Sequence, residues 1–213
     1  MRYEVSSRQG QSKLPKTAVY QLLDNQLIIF LRPWGSQDYN QKFTDEVMHF
    51  LSTAQADIEI TSPFDYVENL TSLANKVRIS LLLAHDYFYK IENKTSFSVG
   101  FEAAIIMKNK NEFAWGAVGR FDIYKSSEKS MQLLSAVGSE HDGSVLLPVE
   151  MLGVEKDFIL RCGSLTLGSQ DGVVIASVYG SSTYIKRQQD DPQGIPNVED
   201  ENSTYWISKL KSE

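Results

Sequence analysis

Over the first thirty residues the apolar positions come in short runs rather than at helical spacing. Residues 3–7 alternate loosely, residues 18–23 and 27–31 are apolar runs, and Asp24 and Asn25 between the runs supply a turn. The pattern predicts an antiparallel hairpin whose second strand is ended by Pro33 and Gly35. From residue 38 to residue 54 the period changes. Phe43, Val47, Phe50 and Leu51 fall at offsets of zero, four, seven and eight, one face of an α-helix with Ser36 in its N-cap region. A second helix is expected to open with Ser62 as N-cap and Pro63 at the first helical position, where a missing N–H does no harm. Val67, Leu70, Leu73, Val77, Leu81, Ala84 and Phe88 then share a face as far as Lys94, which gives a helix of near thirty residues, long for a globular domain.

Such a helix must lie against something equally extended, and the next segment supplies it. Residues 97–108 and 112–118 read as strands around a turn at Asn109, Lys110 and Asn111, followed by strands at 120–125 and 131–137. Residues 146–152 read as a short helix or loop. Strand patterns resume at 164–167 and 173–178 with Gln170, Asp171 and Gly172 as the turn, and a last strand at 203–209 places Tyr205 and Ile207 on one face and Trp206 on the other. Between Arg187 and Asn202 the chain is polar and aperiodic and reads as an exposed loop. Strands, two helices, then a run of strands argue for an α+β or layered sandwich and against a doubly wound parallel sheet, which needs strand and helix to alternate. One domain spanning residues 1–213 is the expectation from length, and there is no internal repeat.

Composition narrows the function classes. The net charge is -6 at pH 7 and no basic cluster offsets it, so nucleic acid is not an expected partner. Cys162 is the single cysteine, which excludes an intramolecular disulfide and reads as a small packed residue near a strand. The N-terminal residues lack the apolar stretch of a secretory signal, and no apolar run approaches the ~20 residues that span a bilayer. No membrane association and a cytoplasmic location are therefore expected.

Candidate chemistry is sparse. His49 and His85 fall within helical patterns as structural residues, and His141 lies in the Gly-rich loop at 138–143; none has a nucleophile context. One cysteine and three scattered histidines lack zinc-ligand spacing, and no phosphate-cradling Gly motif is present. The acidic residues Asp190, Asp191, Glu199, Asp200 and Glu201 read as a solvated loop rather than as a hard-cation site.

Some longer segments carry a resemblance. Residues 100–124, GFEAAIIMKNKNEFAWGAVGRFDIY, are similar to a Gly-Thr-Thr strand, hairpin and Val-Gly-Asp-Ser-Arg-x-Tyr strand. LPVEMLGV, followed by GSQDGVVIASVYG, is similar to a Gly-Asp turn leading into a strand that ends in Ser-Asp-Gly. In this order the segments resemble the metal-dependent serine/threonine protein phosphatases of type 2C. The resemblance implies a four-layer α/β/β/α sandwich, with central antiparallel β-sheets flanked by long helices. It also implies a reaction in which two Mg²⁺ or Mn²⁺ ions, held by carboxylates, activate a water against phosphate.

The positions that matter for that chemistry depart from the family. Pro15, Lys16 and Thr17 stand where it has Asn-Glu-Asp, and Arg32, Pro33, Trp34, Gly35 and Ser36 where it has Asp-Gly-x-Gly-Gly. Val118, Gly119 and Tyr124 match, but Arg120 and Phe121 replace the Asp and Ser between them. Ser177, Val178, Tyr179 and Gly180 replace the Ser-Asp-Gly ending, and only Glu201, Asn202, Ser203 and Thr204 keep part of an Asp-Asn-x-Thr pattern, with Glu201 a lone ligand. Basic residues in place of carboxylates repel a dication, so no metal or other cofactor is expected. The expectation is a degenerate member of that family, a pseudophosphatase that binds another protein or regulates it. Two alternatives stay open. One is a divergent phosphatase with relocated ligands drawn from Asp24, Glu102, Asp122, Asp171, Asp200 or Glu201. The other is a phosphate or nucleotide binder, if Lys16, Arg32 and Arg120 converge on a phosphorylated ligand. Trp34 and Tyr179 are candidates to fill the vacated cleft.

Overall fold

A computed structural model describes residues 1–10, 14–36, 38–56, 62–136, 150–179, 185–187, 191 and 194–211. The chain divides into two compact units. Met1–Pro15, Arg120–Pro148 and Leu167–Glu213 form the first, and Lys16–Gly119 and Val149–Thr166 the second.

The second unit is an antiparallel sheet carrying two helices. Its strands are β2 (Ala18–Leu22), β3 (Leu27–Gly35), β4 (Val99–Asn109), β5 (Glu112–Val118) and β8 (Arg161–Thr166), and they pair in the order β2-β3-β4-β5-β8. Alternation along β3 and β4 sends Leu27, Ile29, Leu31, Phe101, Ala103, Ile105 and Met107 to the face that meets the helices. Helix α1 (Asn40–Ala56) contributes Phe43, Val47 and Leu51 to this core, and α2 (Ser72–Tyr87) contributes Ala74, Val77, Leu81 and Ala84. Each such Leu, Ile or Phe stabilises the fold by roughly 1.5–3 kcal/mol on burial. Helix α2 packs closely over Gly116, where an added Cβ would sit 2.8 Å from Leu81 Cδ1. Ile28, Phe30, Ala104 and Ile106 are buried as well, which explains why both strands read as nearly unbroken apolar runs.

The first unit is a second antiparallel sheet, ordered β1-β12-β9-β6-β7. Its strands are β1 (Arg2–Arg8), β6 (Asp122–Ser126), β7 (Met131–Ser135), β9 (Gly172–Tyr179) and β12 (Thr204–Lys211). The two ends of the chain thus meet as neighbouring strands, Ser6 opposite Ile207. Ile207 packs with Val174, Ala176, Val178 and the partly buried Tyr205, while Trp206 points the other way onto Phe121, with ring centroids 6.1 Å apart. A two-stranded ribbon pairs β10 (Ile185–Lys186), just before the segment expected to be an irregular loop, with β11 (Asn197–Val198) inside that segment, and Val198 joins that apolar cluster. Among the described residues this unit contains no helix. The readings at 138–143 and in the first part of 146–152 lie outside the described residues.

Three local expectations are corrected. Strand β3 does not stop at Pro33 but runs to Gly35, paired with β4. Proline is tolerated there because β2 begins only at Ala18, opposite Leu31, so at Pro33 the strand has one paired neighbour instead of two. At the start of α1 it is Asp38, not Ser36, whose carboxylate accepts from the Asn40 N–H at 3.1 Å. The second helix starts ten residues later than Ser62, with Thr71 as N-cap accepting from the Ala74 N–H, and after Tyr87 it ends in a π turn, Phe88–Glu92. The Ser62 hydroxyl caps only a local turn by accepting from the Phe64 N–H.

The irregular stretch before α2 is held by one side chain. Asn75 is buried; its Oδ1 accepts from the Val67 N–H at 2.9 Å and its Nδ2 donates to the carbonyls of Val67, Leu70 and Thr71. Removing it takes four part-buried side-chain hydrogen bonds from the backbone at once. Asn75→Ala is expected to lower the unfolding free energy by about 2–3 kcal/mol, read from urea denaturation, whereas Ser62→Ala should change it by less than about 1 kcal/mol.

Candidate functional site

The residues singled out by the resemblance fall into two groups, one in each unit. In the second unit they form a row across the ends of β2, β3, β4 and β5. Arg32 on β3 stands directly opposite Glu102 on β4. Thr17 lies one residue beyond the last paired position of β2, and Gly119 one residue beyond that of β5. Arg32 donates through Nη1 to Glu102 Oε2 at 3.2 Å and through Nη2 to Thr17 Oγ1 at 3.1 Å. Trp34, two residues along the same face of β3, donates its indole N–H to the same carboxylate oxygen at 3.0 Å. The side chains of Arg32 and Glu102 are 2% and 0% exposed, so this is a fully desolvated ion pair.

Gly119 makes room for it. Its φ is +78°, and a Cβ there would come within 2.5 Å of Glu102 Cγ, so the carboxylate side chain occupies the space a larger residue would need. The Gly119 carbonyl in turn accepts from Arg161 Nη2 at 2.6 Å. Lys16 is exposed, Pro33 and Trp34 are half-buried, and Gly35 is exposed.

In the first unit, the guanidinium of Arg120 lies 4.6 Å from the centroid of the Tyr179 ring, a cation–π pair between two of the singled-out positions. Val178 and Tyr179 are buried on β9. Glu201 and Asn202 are exposed in the turn before β12, where the Asp200 carboxylate accepts from the Asn202 N–H and from Ser203 Oγ at 3.0 and 2.7 Å.

Solved structures share this architecture. PppA, described as a key regulatory component of the T6SS in Pseudomonas aeruginosa, has 11% identity and a TM-score of 0.62, with 100% of this chain and 97% of that chain covered. The PPM Ser-Thr phosphatase MsPP from Mycobacterium smegmatis has 10% identity and a TM-score of 0.58, with 100% and 99% covered. The catalytic domain of the serine/threonine phosphatase PstP, in complex with two manganese ions, has 12% identity and a TM-score of 0.54, with 98% and 97% covered. The chain has the type 2C phosphatase fold. No family model matches the sequence and no curated protein matches it.

The described side chains do not offer a ligand group for a metal pair like the two manganese ions in the PstP complex. Among the described residues no three His, Cys, Asp or Glu side chains gather as a ligand group. Of the carboxylates considered as relocated ligands, Glu102 is bound to Arg32, Asp171 to Lys125 at 3.0 Å, and Asp200 to its own turn. A dication ~4 Å from a guanidinium would meet a repulsion of about 8 kcal/mol at an effective dielectric of about 20. Arg32, one of the basic residues considered for an anion, donates to Glu102 and Thr17.

Other titratable groups serve the frame of the type 2C fold. Cys162 is half-buried on β8, and burial pushes its thiol above the usual range. His49 faces solvent on α1, and His141 lies outside the described residues. His85, 4% exposed, stacks on Phe158 at 4.2 Å and accepts through Nδ1 from the Gly153 N–H at 3.1 Å. Burial holds its imidazole below the usual 6.5. The unfolded chain therefore takes up a proton near pH 6.5 that the folded chain refuses until lower pH, so stability is lost as pH falls below that value. Urea midpoints of the wild type should fall between pH 7 and pH 5, and His85→Asn, which keeps an acceptor for Gly153, should remove part of that slope. Gly119→Ala, forced into both a positive φ and the Glu102 side chain, should cost about 2–4 kcal/mol by the same measurement.

Proposed function

We propose that this chain is a catalytically inactive, phosphatase-like domain, a pseudophosphatase that acts as a regulatory module by binding another protein. The observation that carries this reading is the buried pair of Arg32 and Glu102. In the resemblance Arg32 stands at a metal-ligating aspartate, and here its guanidinium brings a positive charge where an anionic ligand is required. The pairing of Arg120 with Tyr179, at two further positions of lost ligands, points the same way. Retention of the fold without its carboxylates favours a surface that is recognised over a centre that turns over. PppA, a key regulatory component of the T6SS in Pseudomonas aeruginosa, supports regulation as a use of this fold. No helix among the described residues is long and apolar enough to cross a membrane.

A divergent phosphatase with relocated ligands would need carboxylates free of internal cations, and Glu102 and Asp171 are not. Titration calorimetry with Mn²⁺, together with hydrolysis of a phosphopeptide, separates the readings. The expected outcome is no saturable Mn²⁺ binding and hydrolysis at the rate of buffer, with a stoichiometric protein complex recovered from the native cell. Saturable binding of two ions with turnover refutes the proposal.

A further inference from the structure

Resting on the reading just given, the geometry points to a more specific role for Arg32: we infer that it is a tethered cation, replacing by a covalently attached charge the divalent ions that a type 2C fold holds with carboxylates. Three features support this. The guanidinium donates to a buried carboxylate and to a hydroxyl, Glu102 and Thr17, in the way a cation gathers oxygen ligands. The carboxylate lies within the Gly-Phe-Glu segment that resembles Gly-Thr-Thr, so the basic residue on β3 and the acidic one on β4 both depart from the pattern of the resemblance and face each other on neighbouring strands. Gly119 and Trp34 are shaped around the pair, one by leaving space beside Glu102 and the other by donating to it, so the pair is built in rather than accidental. The consequence is that the folded state is indifferent to divalent ions and depends on both partners of the pair.

A double-mutant cycle on the full chain tests this by thermal unfolding of wild type, Arg32→Met, Glu102→Gln and the double variant, each with millimolar Mn²⁺ or with EDTA. Each single variant leaves one side of a buried pair uncompensated and is expected to lose roughly 10 °C in Tm. The double variant is expected to lose no more than either single one, since no unpaired charge remains. Wild type should unfold at the same temperature with Mn²⁺ and with EDTA. Arg32→Lys keeps the charge without the fork, and should lose less than half of what Arg32→Met loses. It keeps the test decisive if a single variant is too unstable to purify. Additive losses in the cycle, or equal losses for Lys and Met at position 32, overturn the tethered cation. So does a rise in wild-type Tm with Mn²⁺. Phosphopeptide turnover by the same wild-type sample is a separate readout: it refutes the inactive-phosphatase reading, whereas an additive cycle without turnover refutes the tethered cation alone.

Discussion

A carboxylate shut away from water must be given a counter-charge, and several features at one end of the second unit follow from how Glu102 receives it. An uncompensated charge in that position would cost several kcal/mol, a large fraction of the net stability of an ordinary domain. Arg32, directly across the ladder between β3 and β4, removes the cost. Once the pair is in place its neighbours are constrained in turn. The residue after β5 has to lack a side chain because Glu102 fills the space beside it, and Gly119 meets that requirement. The second Nη of Arg32 needs an acceptor, which fixes Thr17 at the entrance to β2. Trp34 can sit half-buried beside a charged group because its indole N–H is used there.

The frame that carries this row was largely legible in the sequence, because period and length speak for long strands and amphipathic helices. Strand β5 coincides with the apolar run at residues 112–118, and β12 places Tyr205, Ile207 and Trp206 on the faces that alternation assigns. Local rules failed where a distant partner overrode them. Ser62 and Pro63 satisfy the chemistry of a helix start, yet Asn75 clasps the carbonyls of Val67, Leu70 and Thr71 and keeps the intervening segment out of the helix. Pro33 looks like a strand end because sequence does not say that β2 has already stopped beside it.

The site was half legible. The sequence names Arg32, Thr17, Trp34 and Gly119 through a motif, but leaves Glu102 as one of several acidic residues. Its signal lay in its setting: a lone acidic residue in the run Phe101 to Met107, where every neighbour is apolar, has to find a cation. Which cation was beyond reach, since Arg32 is seventy residues away and the register of β3 on β4 is not written in either strand alone.

Two kinds of cation can neutralise a buried carboxylate, and they differ in what they allow. A divalent ion exchanges with solvent, carries water into a site and leaves coordination positions open, which is what phosphate hydrolysis requires of it. A guanidinium is held by its own backbone, carries no activated water and directs its donors along a fixed plane. A guanidinium opposite the carboxylate supplies the charge balance that lets strands carrying polar ends pack into a sheet, and it offers no open coordination of the kind that chemistry needs. Fold and catalysis can therefore separate at a single pair of facing residues. On the proposed reading, that separation lets a chain with 10% to 12% identity to serine/threonine phosphatases share their architecture while carrying arginine where the resemblance expects a ligand.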